Sequence, residues 1–172
     1  MTRLMGLAGW SGAGKTTLMT RLIPAFAARG VSVSTLKHAH HAFDIDRPGK
    51  DSYEHRAAGA RQVLVASSKR WALMTELRDA PEPPLRDLLA QLAPVDLVIV
   101  EGFKRDIHPK IEVHRSANAK PWLHPEDPHI AAIAADIAPP SAMLPWAHLD
   151  EIEAIADLVL RHAMPLGDFL GH

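Results

Sequence analysis

A chain of 172 residues, 47% of them hydrophobic, is long enough to bury a core as one domain without metal or disulfide staples. Its 19 basic and 20 acidic side chains leave a formal charge of −1, so there is no global electrostatic case for nucleic acid or an anionic membrane. The absence of cysteine excludes a disulfide framework, a thiolate zinc or iron–sulfur site and a cysteine nucleophile, and fits a reducing, cytoplasmic compartment.

No apolar run approaches the roughly 20 residues of a membrane span. Residues 4–8 are short and apolar and run into glycine, as a buried parallel strand feeding a phosphate loop should. A cleaved presequence reaching into this strand would remove part of the loop, so none is expected. Gly9-Trp10-Ser11-Gly12-Ala13-Gly14-Lys15-Thr16, followed by Thr17, matches the P-loop pattern G-x-x-x-x-G-K-[ST] in full. The glycines let successive backbone N–H groups point into one concavity, and the first turn of the following helix adds unpaired N–H groups and the positive end of its dipole. Gly12, Ala13, Gly14, Lys15, Thr16 and Thr17 are therefore the expected phosphate-binding residues. Lys15 would meet the β- and γ-phosphates and the Thr16 hydroxyl would coordinate Mg²⁺. The competing interpretation is an ordinary glycine-rich turn that caps a helix.

Leu18, Leu22, Ile23, Phe26 and Ala27 recur at helical spacing over residues 16–29, and Gly30 supplies the stop. The β-branched set in residues 31–36 predicts a second strand with Lys37 at its carboxyl end, where ligands gather in open parallel sheets. Residues 38–51 are polar and turn-rich, carrying His38, His40, His41, Asp44, Asp46, Arg47, Lys50 and Asp51, and are expected to form a loop. A short helix over 54–60, strands over 62–66 and 71–76, a proline-rich connection over 80–84 and a helix over 85–92 follow.

Asp96-Leu97-Val98-Ile99-Val100-Glu101-Gly102 predicts a fully buried central strand with a carboxylate at its carboxyl end. That pattern is Walker B-like: Glu101 could hold Mg²⁺ directly or through water, and Gly102 would let a γ-phosphate approach backbone. Residues 103–115 are charged, with Lys104, Arg105, Lys110 and Arg115 around a strand-like 111–113, and suit a solvated connection or a phosphate or partner contact equally. Residues 130–135 predict another core strand ending at Asp136; Pro139-Pro140 breaks the chain; and 151–162 form an amphipathic helix. The segment from Met164 onward, residues 164–172, is expected to be a peripheral tail, although Leu166, Phe169 and Leu170 could dock. The whole, residues 1–172, is expected to be a single α/β P-loop NTPase domain with a mostly parallel central sheet flanked by helices on both faces.

The 11 histidines invite a metal site, yet His38, His40 and His41 form none by proximity alone, because a loop has no fixed geometry. The tryptophans and phenylalanines suit core or interface positions better than a stacking platform for single-stranded nucleic acid.

The run Val33-Ser34-Thr35-Leu36-Lys37-His38, the loop from His41 to Ser52, Ala58-Gly59-Ala60 and the stretch from Asp96 to Lys104 together resemble the molybdopterin-guanine dinucleotide biosynthesis protein B family, MobB. The likeness covers about residues 1–115 well and the remainder in order of elements. It implies a GTP-binding protein with weak GTPase activity that requires Mg²⁺, is homodimeric, and acts in molybdenum cofactor biosynthesis beside a MobA-like nucleotidyltransferase, with molybdopterin a further candidate partner. Lys15 and Glu101 would carry what catalysis there is. Asp44, Asp46, Lys50 and Asp51 match the family's acidic loop, from which Asp46 is the preferred further Mg²⁺ ligand beside Thr16 and Glu101. Ala42 stands where the family often has an acid.

Two absences bear on mechanism. The second P-loop position is Trp10, not the lysine that some related dimeric ATPases use across the dimer. No Asn-Lys-x-Asp motif reads the purine, since Asn118-Ala119-Lys120-Pro121 does not match it, so the GTP preference rests on the resemblance. Asp136 could accept from guanine N1 and N2, or serve a structural turn. Arg47, Lys50 and Lys104 are candidates for the positive charge that fast phosphoryl transfer needs; without it, turnover is expected to be slow. A small-molecule P-loop kinase and a metal-delivery GTPase remain as alternatives.

Overall fold

The computed structural model describes residues 1–39, 43–140 and 143–171. It resolves into two compact units, one made of Met1–His38 with Leu85–His172 and the other of Ala39–Pro84. The larger unit holds a sheet ordered β2-β5-β1-β6-β7-β8, made of β1 (Arg3–Ala8), β2 (Val33–Lys37), β5 (Leu97–Glu101), β6 (Lys110–His114), β7 (Ile130–Ala135) and β8 (Trp146–His148). All neighbours along that order are parallel, and only the two-residue β9 (Met164–Pro165) runs antiparallel, against β1. The expected mostly parallel sheet is thus present.

Alternation along the strands sends side chains to two covered faces. Met5, Leu7, Leu97, Ile99, Ile111 and Val113 pack with Leu18, Leu22 and Phe26 of α1 (Lys15–Ala28) and with Ile155 and Val159 of α4 (Ile152–His162). Leu4, Val98 and Val100 face the other way, onto Leu85 and Leu89 of α3 (Leu85–Leu89) and Leu166 and Phe169 of α5 (Leu166–Leu170). Helices therefore cover both faces, as expected, and the segment from Met164 docks by Met164, Leu166 and Phe169. At the start of β5 the Asp96 carboxylate accepts from Ser32 N–H at 2.8 Å and from its hydroxyl at 2.6 Å, which fixes the β2–β5 register. These two bonds hold the Asp96 carboxyl below the usual range.

On the second face β6 interrupts the apolar surface with Lys110, Glu112 and His114, all buried. Each is paired: Lys110 Nζ donates to Asp106 O at 2.7 Å and lies 3.3 Å from Asp127, Glu112 caps the turn at Leu123 and His124, and His114 stacks on Trp122 with ring centroids 3.6 Å apart. His108 is the exception, wholly buried with neither ring nitrogen hydrogen-bonded to a described residue. Burial, with the Lys110 charge added, pushes its imidazole from 6.5 down to about 4. The unfolded chain then takes up a proton that the folded one refuses, so the stability present above pH 6.5 is lost as pH falls toward 4, at about 1.4 kcal/mol per unit. His108→Leu should flatten that acid slope in urea unfolding between pH 4 and 6.5; an unchanged slope would assign the acid sensitivity to other groups.

The smaller unit comprises α2 (Asp51–Ala57) and a hairpin, β3 (Gln62–Ala66) and β4 (Trp71–Thr75), paired antiparallel with Leu64 opposite Leu73 and Ala66 opposite Trp71. Helix α2 begins at Asp51 rather than at residue 54, because Asp51 and Glu54 both favour the positive end of its dipole. Arg56 is its hub, with hydrogen bonds to Glu76 at 2.8 Å and to both Asp44 oxygens at 2.8 and 2.9 Å. Those partners raise the guanidinium's pKa, Glu76 first and Asp44 next. The strand β8 has no counterpart in the sequence reading, since three residues between Pro145 and Leu149 carry no periodic signal.

Candidate functional site

The P-loop leaves the central strand β1 and enters α1 at the carboxyl edge of the sheet, between β5 on one side and β6 on the other. Gly12 and Gly14 hold φ of 82° and 91°, a left-handed backbone that side chains disfavour, and Gly14 is the N-cap of α1. The first intrahelical bond, from Leu18 N–H to Gly14 O at 2.9 Å, leaves the N–H groups of Lys15, Thr16 and Thr17 without helical partners. Ala13 turns its side chain into the core and its N–H to Trp10 O at 3.1 Å. Thr16 and Thr17 are exposed on the first turn.

Lys15 Nζ folds back over the loop and donates to Gly9 O at 2.8 Å and to Trp10 O at 3.1 Å. Burial lowers its pKa; the Glu101 carboxylate opposes this, while Lys104 and Lys37 add to it. The parallel register places Lys37 opposite Glu101, with Nζ 3.9 Å from Oε2. One largely buried carboxylate thus stands among cations at the edge where the P-loop opens. Gly102 has φ 101°, and a Cβ there would lie 2.5 Å from His38 Cβ, so close approach of the two strand ends by itself requires glycine.

The β6 side supplies groups of which the sequence offered only Arg115, among the charges of 103–115, as a phosphate contact. Arg115 reaches the start of α1, its guanidinium 3.3 Å from where a Gly14 Cβ would sit. Asn118 donates to Ser11 O at 2.9 Å, and the Trp10 indole donates to Pro121 O at 2.8 Å. These contacts join loops that are far apart in sequence, and no local pattern announces them. Asp136, at the end of β7, accepts from Ser116 N–H at 2.8 Å and from its hydroxyl at 2.9 Å. Burial pushes its carboxyl up, but the two Ser116 bonds outweigh that and hold it below the usual range. Asp136 therefore anchors the short turn Ser116–Asn118 that abuts the P-loop.

Thr16 and Glu101 lie in the larger unit and Asp46 in the smaller. There Asp46 is largely buried, accepts from Arg47 N–H at 2.9 Å and stands 3.8 Å from Arg56 Nε. It also lines a cleft of about 450 Å³ with Lys50, Asp51 and His55. His40, His41 and Ala42 lie outside the described residues. Among the described residues no helix is long and apolar enough to cross a membrane.

A family model, molybdopterin guanine dinucleotide synthesis protein B (MobB), matches residues 4–136. The chain belongs to the MobB family. It is 44% identical over 164 residues to the molybdopterin-guanine dinucleotide biosynthesis adapter protein of Escherichia coli K12, covering 94% of this chain and 93% of that one. The adapter protein of the same name from Haemophilus influenzae is 46% identical over 136 residues, 77% of this chain and 74% of that one. The crystal structure of Bacillus subtilis MobB superposes with a TM-score of 0.71 at 25% identity, over 94% of this chain and 98% of that one. The family resemblance drawn from residues 33–38, 41–52, 58–60 and 96–104 is correct.

Proposed function

We propose that this chain is an adapter protein of molybdopterin guanine dinucleotide biosynthesis that binds GTP with Mg²⁺ and hydrolyses it slowly. The observation that carries the reading is the meeting of the glycine-turned P-loop with Glu101 at one sheet edge, in a chain of the MobB family. The unpartnered N–H groups at the start of α1 and the Lys15 ammonium suit a phosphate chain. The hard oxygen donors Thr16 Oγ1 and Glu101 suit Mg²⁺, which would neutralise charge on the β- and γ-phosphates.

Hydrolysis is water attacking the γ-phosphorus in line, with the bond to the β-phosphate oxygen breaking to leave GDP and phosphate. The chain's own part is to hold the phosphates by backbone N–H groups and Lys15 while charge spreads over the equatorial oxygens. Slow turnover is expected because the larger unit offers no glutamine beside Glu101: its one glutamine, Gln91, precedes β5, at the opposite end of that strand. The proposal includes a MobA-like nucleotidyltransferase as partner, molybdopterin as a further candidate, and a homodimer. Leu64, Trp71 and Leu73, exposed on one face of the β3–β4 hairpin, are the apolar surface that a second copy would cover.

Calorimetric titration with GTP and with ATP, each with Mg²⁺, tests the nucleotide reading. Tight GTP binding with little ATP binding is expected; preference for ATP would overturn it in favour of a kinase or another ATP-dependent enzyme.

A further inference from the structure

Lys104 follows Gly102 by two residues and is exposed, yet its ammonium has a defined place: Nζ lies 5.1 Å from the centroid of the Trp10 ring. Trp10 is the second residue of the P-loop. Its indole is fixed to Pro121 O at 2.8 Å, and its backbone carbonyl accepts Lys15 Nζ at 3.1 Å. The Lys104 charge thus rests on a ring whose own main chain holds the P-loop lysine. Among the described residues no carboxylate lies within ion-pair distance of Lys104, whereas Lys37 has Glu101 at 3.9 Å. An exposed cation on an indole face is a weak contact, readily exchanged for an anion.

The groups around Lys104 decide which anion. Thr16 and Glu101 would suit a metal held with the terminal phosphates; Lys104 lies three residues beyond Glu101, rests on the ring of a P-loop residue, and is close enough to Lys15 to help lower its pKa. Arg115 and Asn118 stand against Gly14 and Ser11, the other cation and amide at the loop. With Lys15, Lys37 and Lys104 set against one Glu101, this edge carries excess positive charge that a triphosphate complements better than a diphosphate.

We propose that Lys104 is a terminal-phosphate contact, resting on Trp10 in the free protein and moving onto the γ-phosphoryl oxygens of a bound nucleoside triphosphate, so that it distinguishes triphosphate from diphosphate. This rests on the nucleotide reading above. The move breaks no covalent bond; it exchanges a cation–π contact for a charge-assisted hydrogen bond.

The test titrates wild type, Lys104→Met and Lys104→Arg with a non-hydrolysable GTP analogue and with GDP, in the presence of Mg²⁺. Lys104→Met should lose about tenfold or more in affinity for the triphosphate, the scale of one ionic hydrogen bond, with GDP affinity unchanged. Lys104→Arg should restore the preference, and Trp10→Phe, which keeps a ring, should retain it. Equal weakening toward both nucleotides, or toward neither, would overturn the assignment while leaving nucleotide binding intact. Wild-type protein that binds neither nucleotide would instead overturn the nucleotide reading, and this assignment with it.

Discussion

Lys15→Ala should abolish tight GTP binding while leaving the protein folded. The ammonium is the one side-chain charge within the P-loop itself, and each ionic hydrogen bond to phosphate contributes about 1.5–3 kcal/mol. Losing a β- and a γ-phosphate contact together weakens binding by roughly 10²–10⁴-fold. The folded state loses far less. Of the two carbonyls that Lys15 Nζ serves, Trp10 O keeps the Ala13 N–H at 3.1 Å, so only Gly9 O is left without its 2.8 Å partner. That amounts to about 1 kcal/mol, or a few degrees in Tm for a chain of this size. Calorimetry with GTP and Mg²⁺, alongside thermal unfolding, checks both halves. Retained micromolar affinity would defeat the P-loop assignment, and a collapse in Tm would show that Lys15 holds the loop together rather than the ligand.

The parts of this site that were legible in the sequence are those whose chemistry is written into adjacent positions. Gly12 and Gly14 are readable because the turn needs a left-handed backbone at those two places, and the structure has it. The run from Leu97 to Val100 is readable because a strand covered on both faces has no polar position to alternate with. Lys37 beside Glu101 was half legible: each residue ends a predicted strand, but their pairing depends on register, and sequence does not print register. Arg115 was half legible, as one of the charges of 103–115 that suit a phosphate contact, while Asn118 and Pro121 were silent as P-loop neighbours, because they approach across the sheet from beyond β6. The separate compactness of residues 39–84 was silent too. Strands β3 and β4 look locally like members of the main sheet, and only their pairing with one another sets them apart. The docking of the last segment turns on Leu166 and Phe169 joining the cluster of Leu4 from β1 and Val98 from β5, residues that no window of sequence contains together.

Glu112→Ala should be the most destabilising polar substitution in the larger unit. The carboxylate is 1% exposed, and Oε1 accepts Leu123 N–H at 2.6 Å while Oε2 accepts His124 N–H at 2.9 Å. His124 Nδ1 stands 2.9 Å from Oε2 as well, and since a carboxylate only accepts, that nitrogen must carry the hydrogen. Alanine strands three donors under the segment that covers β6 and leaves a void beside them, a loss of about 3–5 kcal/mol. Glu112→Gln keeps one acceptor oxygen but turns an NH₂ toward a donor, and should cost about half as much. The consequence reaches the site, because the held segment lies next to Pro121, whose carbonyl fixes the Trp10 indole. Nucleotide affinity should therefore fall together with stability in Glu112→Ala, where Lys15→Ala separates the two. Urea unfolding with an unchanged m value and a lowered midpoint would confirm the loss. A change under about 1 kcal/mol would mean that the stack of His114 on Trp122 holds the segment unaided, at the strength usual for one ring pair.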